Sequence, residues 1–223
     1  MIWIDTNKPY MEIKANSNRA FNKTGLKIIF HFLLHEDSIN FPYRQIATLT
    51  KVGLGNINYV MTGLKEMGFL IQLNKNTYKL TRKKELVEKW MSAYFERLKP
   101  ALKIGTFRFL QEEDFANWKT LEFKNRDTRW GCKPAGDLLT NYLHPAELTI
   151  YTTETRRDLI KNYRLLPDEK GNVIAYQTFW HQDEDNGHVV PALLAYVDLM
   201  NTNDRRCTET AQKIYNAILQ NKL

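Results

Sequence analysis

The segment from Phe41 to Leu80 constrains the fold of this chain more than any other. Its pattern predicts a helix, a glycine-containing turn, a second helix and a two-stranded hairpin. This order is typical of proteins that place a helix in the DNA major groove with a β wing beside it. We therefore expect a winged helix-turn-helix DNA-binding domain over residues 1–82, in which residues 1–20 form an arm or loop.

Apolar residues at helical spacing predict three helices in this domain. Thr24 is the expected N-cap of the first helix, and Pro42 suits the first turn of the second, where a proline forfeits no hydrogen bond. The turn from Lys51 to Gly55 contains glycine for a positive φ, and Gly68 should end the third helix. The residues expected to face the core are Leu26, Ile29, Phe30 and Leu33, then Ile46 and Leu49, then Ile57, Val60, Met61 and Leu64.

The opposite face of the third helix is polar and carries no acidic residue before Glu66. Asparagine can pair with adenine, threonine can contact a thymine methyl, and lysine or tyrosine can reach phosphate or guanine. The hairpin tip, Asn74-Lys75-Asn76, is basic and prone to turn, as suits a wing that contacts the DNA backbone or minor groove. The candidate DNA-binding residues are Arg44, Lys51, Asn56, Asn58, Tyr59, Thr62, Lys65, Lys75, Asn76 and Lys79.

The positive charge of the chain is concentrated in the same region. Residues 1–82 hold 11 Lys and Arg against 5 Asp and Glu, whereas residues 83–223 hold 21 against 20. A local basic excess attracts a phosphate backbone and makes binding fall with salt. Winged helices also serve as protein-binding modules, but the basic wing and the acid-free helix face favour duplex DNA as the partner.

Residues 83–223 predict a mixed α/β domain, because short strands alternate with helices. An amphipathic helix over residues 83–98, ended by Pro100, should connect the two domains. The whole chain is thus expected to be α+β. The expected strands are 104–110, 121–124, 148–152 and 172–180, and the expected helices are 137–143, 153–163, 190–200 and 205–219.

Two groups of residues raise the question of catalysis. Glu122 and Lys124 on a predicted strand, with Asp114 upstream, resemble the carboxylates and lysine that hold Mg²⁺ and orient water in metal-dependent nucleases. The competing interpretation, which we prefer, is a solvent-exposed strand. The run Asp183-Glu184-Asp185 between His181 and His188 is better explained as an exposed acidic turn. We expect no catalytic residue, metal or cofactor, and we expect His31 and His35 at the surface.

Composition narrows the cellular setting. Cys132 and Cys207 are too few for a metal cluster or a disulfide scaffold, which favours reduced thiols in the cytoplasm. No apolar run approaches the roughly 18 residues that span a bilayer, and the first residues lack the pattern of a signal peptide. The sequence predicts a cytoplasmic protein without a membrane partner.

Long blocks of the chain resemble the AbiEi family of type IV toxin–antitoxin antitoxins. The most specific motifs span residues 191–199, 204–206 and 209–211; Asp204 also suits a helix cap, and Tyr196 and Asp198 are expected to hydrogen-bond a neighbouring helix. The block TGLKIIFHFLL with PYRQIATLTKVGLGNINYVMTGLKEMGFL is similar to the winged helix of that family. The C-terminal blocks are WGCKPAGDLLTNYLHPAELTIYTT, LLPDEKGNVIAYQTFW and VVPALLAYVDLMNTNDRRCTETAQKIYNAIL.

The resemblance implies a bacterial transcriptional regulator that represses its own promoter and counters a nucleotidyltransferase-like toxin without a stable complex. One departure is Cys132-Lys133, where the family pattern leads us to expect a glycine and an acid; it bears on antitoxin activity and leaves DNA binding unaffected. Two alternatives stay open. One is a nuclease-like enzyme guided by the winged helix, and the other is a regulator whose C-terminal domain binds a ligand or protein unrelated to any toxin.

Overall fold

A computed structural model describes residues 19–181 and 187–223. The predicted order of three helices and a hairpin is present in its N-terminal region, and the hairpin strands pair antiparallel with Leu70 opposite Leu80. The elements are α1 (Lys23–Leu34), a 3₁₀ turn (Glu36–Asn40), α2 (Tyr43–Thr50), α3 (Leu54–Glu66), β1 (Leu70–Asn74) and β2 (Thr77–Leu80).

The ends of these helices differ from the predictions in three places. Asn22, and not Thr24, caps α1, since its Oδ1 accepts the Gly25 N–H at 2.8 Å. Pro42 is the N-cap residue of α2 with extended backbone, one position before the first turn. The turn between α2 and α3 places Lys51 in the left-handed region at φ 53°, whereas Gly53 has φ −67°. The Gly68 prediction is confirmed, with φ +72° after the last residues of α3.

Helix α1 is buried on more than the one predicted face. Ile28, His31 and Phe32 lie off the predicted face and are at most 5% exposed. On the predicted face, the Phe30 ring lies 5.0 Å from the Trp90 ring and 5.1 Å from that of Phe179, so residues distant in sequence cover it. The Trp90 indole N–H also donates to the Leu26 carbonyl at 2.8 Å. His31 is only 5% exposed, which makes its predicted surface position wrong. Helix α1 therefore lies inside the protein, between α2–α3 and the remainder of the chain.

The hairpin is fixed to the rest of the N-terminal region by one asparagine. Asn40 donates to the Tyr78 carbonyl at 3.1 Å and accepts the Tyr78 N–H at 2.7 Å. Both backbone groups point away from β1, so the Asn40 amide occupies the place of a neighbouring strand. This pair of bonds sets the position of the hairpin relative to the helices.

The connecting helix is longer than predicted. Helix α4 (Lys83–Ala93) continues through a π-helical turn (Tyr94–Leu98) into α5 (Lys99–Leu102), so Pro100 does not end it. Pro100 lies in the first turn of α5, directly after the π-helical turn. Backbone N–H groups in a first turn have no intrahelical acceptor, so a proline there removes no hydrogen bond. The buried face of the connecting helix, which the amphipathic pattern predicted, consists of Leu86, Trp90, Ala93 and Tyr94.

A five-stranded mixed sheet forms the centre of the C-terminal region. The strand order is β4-β5-β7-β3-β6, with β5 parallel to β7 and the other neighbours antiparallel. The fold is therefore mixed α+β, as predicted. The strands are β3 (Lys103–Phe109), β4 (Arg129–Gly131), β5 (Leu148–Thr152), β6 (Leu165–Pro167) and β7 (Val173–Gln177).

Helices cover this sheet on both faces. The Thr155 side chain and Asp158 form a reciprocal capping box at the start of α8, and Asp204 caps α10 by accepting the Cys207 N–H at 3.1 Å. The second of these was predicted. The helices are α6 (Glu112–Ala116), α7 (Cys132–Thr140), α8 (Arg156–Tyr163), α9 (Ala192–Met200) and α10 (Arg205–Ile214), which a π-helical turn (Tyr215–Leu219) extends.

The strand predicted at 121–124 is wrong. A 3₁₀ turn (Trp118–Thr120) leads into an irregular segment there. Leu121 and Phe123 are half-buried and pack against the second core, with the Phe123 ring 4.8 Å from that of Trp130. These two residues alternate with the exposed Glu122 and Lys124, which is the pattern expected of a strand, but the backbone of this segment is not paired with another described strand.

Two apolar clusters hold the protein together. The larger one is continuous from α1, α3 and α4 to α9 and α10, and it includes Tyr151 on one face of the sheet. The smaller one lies on the other face and includes Phe107, Ile150 and Trp130. The N-terminal helices thus share a core with the C-terminal region. None of the described helices is long and apolar enough to cross a bilayer.

Candidate nucleic-acid interface

The residues predicted to contact DNA are all accessible. Eight are exposed, and Asn56 and Thr62 are half-buried. On α3 the accessible set lies opposite Ile57, Val60, Met61 and Leu64, which are at most 1% exposed. The helical period therefore separates a fully buried face from a polar face that can approach a ligand.

Two side chains on α3 are held by neighbours. The Arg19 guanidinium lies 5.4 Å from the centre of the Tyr59 ring, and Tyr59 is 44% exposed. The Lys65 ammonium lies 4.0 Å from the centre of the Tyr78 ring on β2. Cation–π contacts of this kind restrict a long side chain while leaving its charge available. The contact between Lys65 and Tyr78 also joins α3 to the hairpin.

The two asparagines differ in their readiness to bind a base. The Asn56 amide donates to the Gly53 carbonyl at 3.3 Å, inside the turn that begins α3. Asn58 is exposed on the next part of the helix face. Adenine recognition needs both the donor and the acceptor of the amide. Asn58 and the neighbouring Thr62 are therefore the better candidates for base contact.

The hairpin tip presents a cation on an ordered turn. The Gln72 amide donates to the Lys75 carbonyl at 3.2 Å, and the Asn76 N–H donates to the Asn74 side chain at 3.0 Å. Lys79 lies opposite Ile71 in the strand register, and both are exposed. A rigid tip places Lys75 at a fixed distance from α3, as a phosphate contact requires.

Several cations near this surface escaped the sequence analysis. Arg19 lies in a segment expected to be a loop, yet Arg19 and Ala20 are helical and Ala20 is buried. Lys27 of α1 and Arg126 of the C-terminal region both line a cleft with Lys51. Only the folding of the chain brings these three together, and no local spacing signals it.

The residues of the nuclease-like group do not lie on a strand. Glu122 and Lys124 are both exposed on the irregular segment, and Asp114 is half-buried in α6. The Lys124 backbone N–H donates to the Tyr163 hydroxyl at 3.1 Å. Among the residues that the structure describes, no three His, Cys, Asp or Glu side chains are placed to hold a metal. The run at 183–185 lies outside the described residues.

A polar centre, formed by Tyr94, Lys99, Tyr151 and Asp198, lies in the larger core. The Asp198 carboxylate is fully buried and accepts from the Lys99 ammonium at 2.7 Å, from the Tyr151 hydroxyl at 2.8 Å and from Tyr94 at 3.4 Å. Burial raises the pKa of both tyrosines well above the usual value, and the Asp198 charge adds to that shift. These groups join the π-helical turn after α4, α5, β5 and α9, which is a structural role. The predicted bond from Tyr196 is replaced by packing against Tyr215, with ring centres 5.8 Å apart.

The unusual Cys132-Lys133 pair lies beside this centre. Cys132 has φ +43°, a conformation that glycine adopts with less strain, and its side chain is 8% exposed. Burial raises the pKa of its thiol to about 12. The Lys133 ammonium is 2.9 Å from the Glu147 carboxylate. Cys132 is therefore a buried, unreactive thiol, and Lys133 forms an ion pair with Glu147 at the surface.

Comparison with known proteins identifies the C-terminal region. A family profile described as "Transcriptional regulator, AbiEi antitoxin, Type IV TA system" matches residues 79–220. The match starts at the second strand of the hairpin and covers well over half of the chain. No curated protein and no solved structure matches the sequence. The chain belongs to the AbiEi family of antitoxins and transcriptional regulators of type IV toxin–antitoxin systems.

Proposed function

We propose that this protein represses transcription by binding duplex DNA at its own promoter through α3 and the β1–β2 hairpin. The observation that carries the proposal is the face of α3, where polar and basic side chains are accessible while every third or fourth residue is buried. In this proposal residues 1–82 form a winged helix-turn-helix and residues 83–223 form the antitoxin domain, with α4 as the connector.

The charges support a division of labour within the interface. In this proposal Lys75 and Lys79 of the hairpin, with Arg44 and Lys51 around α2, contact phosphates; all four side chains are exposed. Phosphate contacts fix the register of a protein on DNA, while base edges supply the sequence preference. We assign the second role to Asn58 and Thr62, with Asn56, Tyr59, Lys65 and Asn76 at the edges of the interface.

A titration of fluorescent promoter DNA at several salt concentrations tests the phosphate contacts. The logarithm of the binding constant should fall by about 0.9 per neutralised phosphate for each tenfold rise in salt. Replacing both Lys65 and Lys75 with alanine should weaken binding to every sequence and reduce this slope by about 2. Combined Arg157→Ala and Lys161→Ala, at exposed positions of α8, is the matched control, because it removes the same two positive charges far along the chain. Equal slopes in the double variant and the wild type would remove α3 and the wing from the interface.

We further propose that the antitoxin activity counters a nucleotidyltransferase-like toxin without forming a stable complex with it. The family membership supports the antitoxin role, and the partner and its mode of action are inferred from the resemblance. Expression of this protein in cells that make a nucleotidyltransferase-like toxin encoded beside its gene should restore growth, and pull-down of the two proteins should recover no complex. Growth rescue that depends on an isolable complex would refute this part of the proposal.

A further inference from the structure

A cleft of about 240 Å³ lies where the N-terminal helices meet the C-terminal region. Lys27 of α1 and Lys51 of the turn after α2 form one side. Arg126 and residues 178–181 form the other side, where Phe179 and Trp180 contribute apolar surface. The two sides come from distant parts of the sequence, so the cleft exists only in the folded chain.

The lining of the cleft is strongly cationic. Among the described residues that line it are Lys27, Lys51 and Arg126 and one carboxylate, Asp127. Within the described ranges, none of the three cations forms an ion pair. Asp127 interacts electrostatically with Arg129. Burial lowers the pKa of Arg129, and the Asp127 charge opposes that shift. Among the described residues, the lining of the cleft thus carries an excess of positive charge.

The cleft also holds an unused hydroxyl. Thr178 lines it, and the Thr178 Oγ1 is shielded from solvent without a hydrogen-bond partner among the described atoms. Its backbone N–H is already bonded to the Thr152 carbonyl at 2.9 Å. A buried hydroxyl normally has a partner, and a bound oxyanion would supply one.

We propose that this cleft binds a small phosphate-bearing anion, of the size of pyrophosphate or the phosphate chain of a nucleotide, and that the bound anion weakens DNA binding. Lysine and arginine clusters are the usual ligands of phosphate oxygens in proteins. Small-molecule sites are concave and typically of roughly 300–1,000 Å³, so a cleft of this volume suits a small anion. A duplex backbone favours an open groove instead.

The weakening of DNA binding by the anion rests on the proposed function, because it depends on Lys51 as a contact of both ligands. This residue lines the cleft and is also one of the predicted phosphate contacts at the turn between α2 and α3. A ligand that neutralises Lys51 removes it from the DNA interface. Because such coupling is reciprocal, bound DNA should weaken the anion by the same factor.

Calorimetric titration of the full chain with sodium pyrophosphate, without DNA and at constant ionic strength, tests the site itself. Arg126→Ala, Lys27→Ala and Lys51→Asn should each weaken binding at least fivefold, and Lys161→Ala should leave it unchanged. Asparagine is chosen at Lys51 because it tolerates the positive φ found there. Adding ATP in place of pyrophosphate distinguishes a nucleotide from a free phosphate ligand. The absence of binding at millimolar pyrophosphate, or an equal loss in Lys161→Ala, would overturn the site.

A second titration, with promoter DNA, tests the coupling. Saturating pyrophosphate should weaken DNA binding by the wild type and have little effect on Arg126→Ala. If Arg126→Ala alone weakens DNA binding as much as Lys75→Ala does, the cleft belongs to the duplex interface and the proposal is wrong. The first titration contains no DNA, so failure of the repressor function and failure of the anion site are separately visible.

Discussion

Replacement of Asp198 by asparagine tests whether the polar centre is a coupled unit. Asparagine has the shape of aspartate and retains one acceptor oxygen for Tyr151 or Tyr94. It removes the negative charge that faces the Lys99 ammonium at 2.7 Å. The Lys99 side chain is 16% exposed, so the ammonium cannot be fully rehydrated without rearrangement.

The expected loss of stability follows from these contacts. Removing one partner of a buried ion pair costs about 3–5 kcal/mol, because the other charge stays buried without compensation. The partial exposure of Lys99 and the retained acceptor place Asp198→Asn near the lower end, at about 3 kcal/mol. Lys99→Met should cost a similar amount, because the Asp198 charge is then stabilised only by the two tyrosine hydroxyls.

Urea unfolding of both single variants and the double variant measures the coupling. We expect the double variant to be at least about 1.5 kcal/mol more stable than the sum of the single losses predicts. The Lys99 pKa is lowered by burial but raised overall by the Asp198 charge. The ion pair should therefore stabilise the protein fully below the unfolded lysine pKa of about 10.4 and lose its effect as pH rises through the folded value. Additive losses within about 0.5 kcal/mol would refute the reasoning.

Further predictions concern single sites. Gly25→Ala should destabilise the protein severely, because the new Cβ would lie 2.0 Å from the Ala20 carbonyl oxygen. Gly55→Ala should instead stabilise α3 by up to about 1 kcal/mol, since nothing lies within 4 Å of the new Cβ. Thermal unfolding of the two variants measures both effects. Native Cys132 should resist iodoacetamide at pH 8, since its thiol has a pKa of about 12, and rapid labelling by mass spectrometry would contradict that. Asn40→Ala should loosen the hairpin and weaken DNA binding while the helices stay folded, as hydrogen exchange at Tyr78 would show.

The local periodicity of the sequence predicted α3 well because one face of that helix is buried by its immediate neighbours. The same reasoning predicted α1 but missed the burial of Ile28, His31 and Phe32 off its predicted face. It also gave no sign that Trp90, Phe179 and Trp180 pack around Phe30. Those contacts span long stretches of sequence, so no local pattern contains them. Strands β4 and β6 have three residues each, which is too short for an alternation to be recognised.

The candidate interface shows the same limit. The residues of α3 and the wing follow from spacing and turn chemistry, and the structure places all of them at accessible positions. Arg126 could not be associated with Lys27 and Lys51, because tertiary packing alone brings it to their cleft. The left-handed conformation of Lys51 was also missed, since the nearby glycines were the expected residues for a positive φ.

Base recognition by α3 is the central claim, and the ratio of affinities for promoter DNA and a scrambled duplex of equal length measures it most directly. At a fixed salt concentration, Asn58→Ala and Thr62→Ala should each lower this ratio, while binding to the scrambled duplex stays the same. The loss of discrimination should be about 1–3 kcal/mol for every base edge that the variant no longer contacts. Lys75→Ala should instead weaken binding to both duplexes equally. A wild-type ratio close to one, or an unchanged ratio in both α3 variants, would contradict the account.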